Sequence, residues 1–100
     1  MRNAKEEFIK QTRDKIVLCV VIYSDWDHED TKTVLKVGYS EEDYANFLNS
    51  LNFEYDAGYG GQELFGMIWY TDGTWSERGE YDGSEWWDYR VVPVVPEYLK

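Results

Sequence analysis

Apolar and polar residues are distributed along this chain with a period that changes from segment to segment. Residues 3–12 place Ala4, Phe8 and Thr12 on one helical face, with Glu6 and Glu7 in the first turn, and predict a short N-terminal helix. Residues 15–23, KIVLCVVIY, are continuously apolar and rich in β-branched side chains. That pattern suits a strand covered on both faces or central in a sheet. Residues 24–30, SDWDHED, read as a polar connection. Residues 31–39, TKTVLKVGY, then set Thr33, Leu35 and Val37 against Lys32, Val34 and Lys36, so the two runs predict an antiparallel hairpin.

Ser40 precedes Glu41, Glu42 and Asp43 with the spacing of a capping box, Asp standing in place of Glu, and a helix is expected to begin there. Tyr44, Phe47, Leu48 and Leu51 follow at i, i+3, i+4 and i+7, an apolar stripe that can lie on a sheet, and Asn52 suits its end. Residues 53–61 pass into a glycine-rich connector. It is not a phosphate-binding loop, because no G-x-x-x-x-G-K-[ST] pattern and no helix signal follow. From residue 63 onward the pattern is a meander. Asp72-Gly73 and Asp82-Gly83 are hairpin signals separating strands over 64–70, 75–81 and 85–92, and Pro93 and Pro96 end the last one. The expected fold is one α+β domain over residues 1–100. Its antiparallel sheet combines an N-terminal hairpin with a C-terminal three-stranded meander and packs against one main helix.

Two-residue loops would fix the register of the meander. Tyr70 then faces Trp75, Ile68 faces Glu77, Met67 faces Arg78 and Gly66 faces Gly79. In the second hairpin Gly79 faces Trp86, Arg78 faces Trp87, Glu77 faces Asp88 and Glu80 faces Glu85. Trp86 would lie across Gly79 and Gly66, and Arg78 would stack beside Trp87. The two like-charged pairs each cost from a few tenths to about 1 kcal/mol. Arg78, Arg90, solvent screening, a cation or a basic partner would offset that cost.

Composition narrows the picture. With 43% apolar and 18% aromatic residues, five of them Trp and nine Tyr, the chain is not an acidic disordered tail. Its longest apolar run, residues 16–23, is far short of the roughly 20 residues of a membrane span. The first 14 residues have no signal-peptide pattern, so an intracellular, cytoplasmic location is expected. The lone Cys19 reads as a small buried hydrophobe. The first 40 residues carry seven basic and seven acidic side chains, whereas residues 41–88 carry twelve acidic side chains and one basic, Arg78. Such polarity argues against direct nucleic-acid binding, which needs clustered Lys and Arg.

The candidate chemistry is sparse. Asp25-x-Asp27-x-Glu29 resembles the start of a calcium loop, but Asp30 stands where glycine is required and Lys36 where a bidentate Glu is required. His28, Asp25 and Asp27 make at most an adventitious metal contact, and His28 with one distant cysteine makes no zinc site or nucleophile–base pair. A glycosidase needs two acids in a cleft, which a meander and one helix do not form. No catalytic residue, metal or cofactor is expected. Trp69, Trp75, Trp86 and Trp87 can instead form an aromatic platform.

Within residues 63–89, Trp69, the run Asp72-Gly73-Thr74-Trp75 and the run from Arg78 to Trp87 (RGEYDGSEWW) carry a resemblance. The segment is similar to one found in small uncharacterised bacteriophage and prophage proteins. The resemblance carries no activity and implies context: small acidic phage proteins of the anti-restriction and anti-CRISPR kind inhibit host machinery, often by occupying a basic nucleic-acid channel. The expectation is therefore a non-enzymatic inhibitor or modulator that docks on a basic host protein, a nucleic-acid-binding or defence enzyme, by nucleic-acid mimicry. Glu77, Glu80, Asp82, Glu85 and Asp88 would steer it, with Arg78 beside them and Trp86 or Trp87 as the anchor. Two alternatives stand beside it: a carbohydrate- or peptide-binding module using the aromatic sheet face, and a homodimeric structural or assembly protein.

Overall fold

The computed structural model describes residues 2–26, 29–55, 62–81 and 84–99. Helix α1, Ala4–Gln11, is capped by Asn3, whose side chain accepts the Glu6 amide at 3.0 Å. Ala4, Phe8 and Thr12 are buried, as the spacing requires, and Thr12 Oγ1 donates back to the Phe8 carbonyl. Helix α2, Glu41–Ser50, starts with a complete capping box: Ser40 Oγ accepts the Asp43 amide and Asp43 Oδ2 accepts the Ser40 amide, each at 3.1 Å. Its stripe buries Phe47 and Leu51 and packs Tyr44 and Leu48 at the margin. Phe8 and Phe47 meet edge to face at 5.2 Å, joining the two helices in one layer. The short strand β1, Arg2–Asn3, pairs with β4, Glu54–Tyr55.

The sheet beneath is antiparallel, with β2 (Val17–Trp26), β3 (Glu29–Leu35), β5 (Leu64–Tyr70), β6 (Trp75–Tyr81) and β7 (Ser84–Arg90) in the order β3-β2-β5-β6-β7. This is the expected α+β architecture, with the short N-terminal helix beside the main one against the sheet. Three local corrections have physical causes. First, the expected polar connection over 24–30 is largely strand, since Ser24↔Thr31, Asp25↔Asp30 and Trp26↔Glu29 are paired. Pairing with β5 ends at Ser24, and beyond it β2 and β3 stay paired with each other as a two-stranded ribbon. Second, β3 stops at Leu35. Gly38, at φ +86°, turns the chain so that Tyr39 Oη can donate to the Val17 carbonyl at 2.6 Å.

The third correction has the widest effect. The loop at Asp72-Gly73 holds three residues. The Gly73 amide donates to the Tyr70 carbonyl at 3.3 Å, Gly73 adopts φ +88°, and the Tyr70 amide then donates to the Thr74 carbonyl at 2.9 Å. That is a turn closed by a left-handed glycine bulge. Asp72 reinforces it by accepting the Thr74 amide at 3.0 Å and the Lys15 ammonium at 2.7 Å. Trp69 consequently faces Trp75, Ile68 faces Ser76 and Met67 faces Glu77, one residue away from the two-residue register. Gly66 pairs with Ile22 on β2, and on the β6 side the shifted register no longer sets it opposite Gly79. The second hairpin has the expected register, Gly79↔Trp86, Arg78↔Trp87, Glu77↔Asp88 and Glu80↔Glu85, although Asp82 and Gly83 lie outside the described residues.

The core lies on one side of the sheet, between Val20, Ile22, Leu35, Leu64, Ile68, Tyr70 and Trp87 below and Ala4, Phe8, Phe47 and Leu51 above. Among the described residues, neither helix covers the other side.

Candidate functional site

Alternation along the strands assigns side chains to the uncovered face in three rows. Lys32, Tyr23 and Phe65 form the first; Val34, Val21, Met67, Glu77 and Asp88 the second; Cys19, Trp69, Trp75 and Arg90 the third. Tyr23 and Phe65 stack with centroids 5.3 Å apart and planes 7° apart. Tyr23 is 44% exposed, Val34 46% and Trp69 36%. Beside these rows Trp86 lies across Gly79: a Cβ at residue 79 would come within 2.7 Å of Trp86 Nε1. Trp86 Nε1 is held by Asp88 Oδ1 at 2.9 Å. The expected cover of Gly79 is therefore present, whereas Gly66 is closed from β2 and lies on the opposite face.

The charge on this surface is balanced. Arg90 Nε is 3.1 Å from Glu77 Oε1 and Arg90 Nη2 is 3.5 Å from Asp88 Oδ2, so the like-charged pair Glu77–Asp88 shares one guanidinium. With Lys32 the rows carry two positive and two negative side chains. Cys19 belongs to this partly exposed face rather than to the buried core, and burial by its neighbours pushes its thiol up from the ordinary range.

Three other members of the expected partner surface, Arg78, Glu85 and Trp87, are inside. Glu85 is fully buried, and its carboxylate accepts the Glu63 amide at 2.8 Å, the Leu64 amide at 2.9 Å and Arg78 Nη2 at 3.3 Å. The Arg78 side chain is 1% exposed. It lies between the Trp87 ring at 5.1 Å and the Tyr55 ring at 5.6 Å and donates to Tyr55 Oη at 2.8 Å. Trp87 is also buried. Arg78, Glu85 and Trp87 thus cannot meet a partner without unfolding this corner, and they leave the expected contact set. Glu80 is exposed and Asp82 lies outside the described residues.

The buried pair exists because of how β5 begins. Gly66, at φ +155°, brings the backbone so close to β2 that a Cβ would stand 2.5 Å from the Val21 carbonyl oxygen. Recorded pairing between β5 and β6 ends at Met67↔Glu77. Beyond it, the Leu64 amide bonds Glu85 and the Leu64 carbonyl accepts Arg78 Nε at 3.4 Å, side chains taking the role of the missing ladder. Glu7 and Arg2 extend the cluster. Tyr55 Oη donates to Glu7, Glu7 Oε2 is 3.7 Å from Arg2 and 3.9 Å from Arg78 Nη1, and Arg2 donates to the Glu85 carbonyl. Burial, reinforced by the Glu7 carboxylate, pushes the Tyr55 hydroxyl up to about 12.

Sequence reasoning missed Arg2, Glu7 and Tyr55. The signal available was parity: residues 78, 80, 85 and 87 share a face once the second hairpin is registered, which puts Arg78 diagonal to Glu85. Among the described residues no three potential metal ligands come together and no helix is long and apolar enough to cross a membrane. Comparison with protein-family models, with curated proteins and with solved structures finds no match for this chain.

Proposed function

We propose that this protein acts by binding, without catalysis, and that its working surface is the aromatic, charge-balanced face of the sheet, with an extended peptide segment as ligand. The observation that carries the reading is the absence of a covering layer over Tyr23, Phe65, Trp69 and Trp75 among the described residues. A contiguous exposed apolar patch is unusual on a monomer and marks an interaction surface. Trp and Tyr are also the side chains that most often dominate binding energy. Titrating proline-rich synthetic peptides and soluble oligosaccharides into the protein, with tryptophan fluorescence as the readout, tests it. Peptides are expected to shift the emission to the blue, equally at low and high salt, and Trp75→Ala to abolish the shift. Indifference to every peptide would discard the reading, and a response to sugars alone would reassign the face to carbohydrate.

A second reading keeps the phage-type context and the basic host partner. It is favoured by the net charge of −10 and by the exposure of Glu41, Glu42, Asp43 and Glu80. Those groups steer encounter with a basic surface. Its signature is the reverse of the first: association that weakens steeply with salt and is lost on charge reversal at Glu80, while Trp75→Ala has little effect.

A further inference from the structure

We infer that the ligand of the aromatic face is the C-terminal segment of a second copy of this chain, so that two copies exchange residues 91–99 and form a homodimer. The inference rests on the peptide-binding reading and names the peptide. Beyond β7 the chain reads VVPVVPEYL, and Val91, Val92, Val94, Val95, Tyr98 and Leu99 are all more than half exposed, Val94 reaching 89%. A run of apolar side chains this bare has no stabilising role within one copy.

Three observations select a second copy. The first is area. The chain exposes 7024 Å² at 11.9 kDa, whereas a compact monomer of that mass exposes about 5,900 Å². The excess, roughly 1,000 Å², is close to the ~800 Å² that each partner gives up in a standard interface. The radius of gyration agrees: it is 15.0 Å, against about 13 Å for a compact chain of this length.

The second is charge. Two copies of a chain carrying −10 repel each other over most of their surface. The aromatic face balances Lys32 and Arg90 against Glu77 and Asp88, so copies can meet there without that penalty.

The third is spacing. Pro93 and Pro96 fix their own φ and keep Val92 and Val95 extended. In polyproline II geometry two prolines three residues apart lie on one side of the segment, about 9.3 Å apart. Every second strand of a sheet is about 9.6 Å away. A segment crossing the strands can therefore set one proline beside Val34 and the other beside Met67, two strands apart in the trough that also holds Val21. That trough lies between the Tyr23–Phe65 ridge and the Trp69–Trp75 ridge, the aromatic-lined setting in which such segments dock.

Sedimentation velocity on the full chain and on Val94→Asp, each over a range of concentrations, tests the inference. The wild type is expected at twice 11.9 kDa and Val94→Asp as a monomer, its association weakened at least roughly tenfold. Its circular dichroism should be unchanged, because Val94 is exposed in the single copy, and its urea midpoint should match that of the wild type diluted until it is monomeric. A synthetic peptide of residues 91–100 added to Val94→Asp should shift tryptophan emission to the blue. A wild type that stays monomeric, or a Val94→Asp chain that dimerises as well as the wild type, overturns the exchanged dimer. In that event the peptide arm separates the two levels. Binding without a dimer leaves the peptide-binding face intact, and silence there and across the proline-rich panel removes both.

Discussion

Glu85 illustrates how a single residue can be read correctly in register and wrongly in role. The pairing Glu80↔Glu85 follows from the turn, yet the carboxylate points into the protein, where two backbone amides and a guanidinium meet it. Removing one member of a buried pair costs about 3–5 kcal/mol, and Glu85→Ala is expected to lose stability in that range, measured by urea unfolding. The double variant Arg78→Leu/Glu85→Leu makes a sharper test. An ordinary buried ion pair can be replaced by apolar side chains at little cost. Here the Glu63 and Leu64 amides would still lack an acceptor, so the double variant should recover little. Tyr55 supplies a titration. Its neutral form is favoured in the fold, so its contribution is present below the ordinary tyrosine pKa of about 10 and is lost as pH rises through the folded value of about 12. Tyrosinate absorbance should show a component titrating late, which Tyr55→Phe removes.

At the scale of elements, the helices and strands were legible because each has a local cause. The Ser40 capping box, the 3.6-residue stripe of α2 and the β-branched run of β2 all act within a few residues of themselves. Ser40→Ala should cost about 1 kcal/mol in thermal or urea unfolding. What was not legible, besides the reach of β2 and β3, was the length of one loop. Asp72-Gly73 signals a two-residue turn as well as a three-residue one, and in the three-residue turn Asp72 meets Lys15, which is distant in sequence and salt-bridged to it. Because strand periodicity is two, that one residue exchanges the faces of β6 relative to β5: Glu77 moves to the open side and Arg78 to the core. The Lys15 ammonium holds the Asp72 carboxyl well below the usual carboxylate range. A depressed folded pKa means stability that is complete above the unfolded value near ~4 and lost as pH falls below it. The difference in stability between wild type and Asp72→Asn should be constant above that pH and shrink on acidification.

On the scale of the whole molecule, two layers are stacked, and among the described residues no third layer covers the open side of the sheet. No periodicity argument shows which face of a sheet the helices take, since both sides of β2 and β5 are apolar in sequence. Val21, Met67 and Phe65 look as core-like as Val20 and Ile68. The distribution of charge has a consequence for stability as well as for partners. A net charge of −10 on a small body strains the compact state through self-repulsion. Added neutral salt should therefore raise the urea midpoint from its low-salt value, mainly within the range where the screening length falls below about 10 Å.

The cluster around Arg78 draws on Arg2, Glu7, Tyr55 and Glu85, which span nearly the whole chain. During synthesis, Glu7 and Tyr55 must wait for a guanidinium that emerges much later, and the first amides of β5 wait for a carboxylate that emerges later still. The corner where β5, β6, β7 and α1 meet cannot close while residue 85 remains inside the ribosome. The corner should therefore close late, only after residue 85 has emerged, with the β2–β3 hairpin and α2 standing by as apolar, unprotected elements in the interval. Protease sensitivity of ribosome-bound chains should fall only once the linker beyond residue 99 is long enough to release β7.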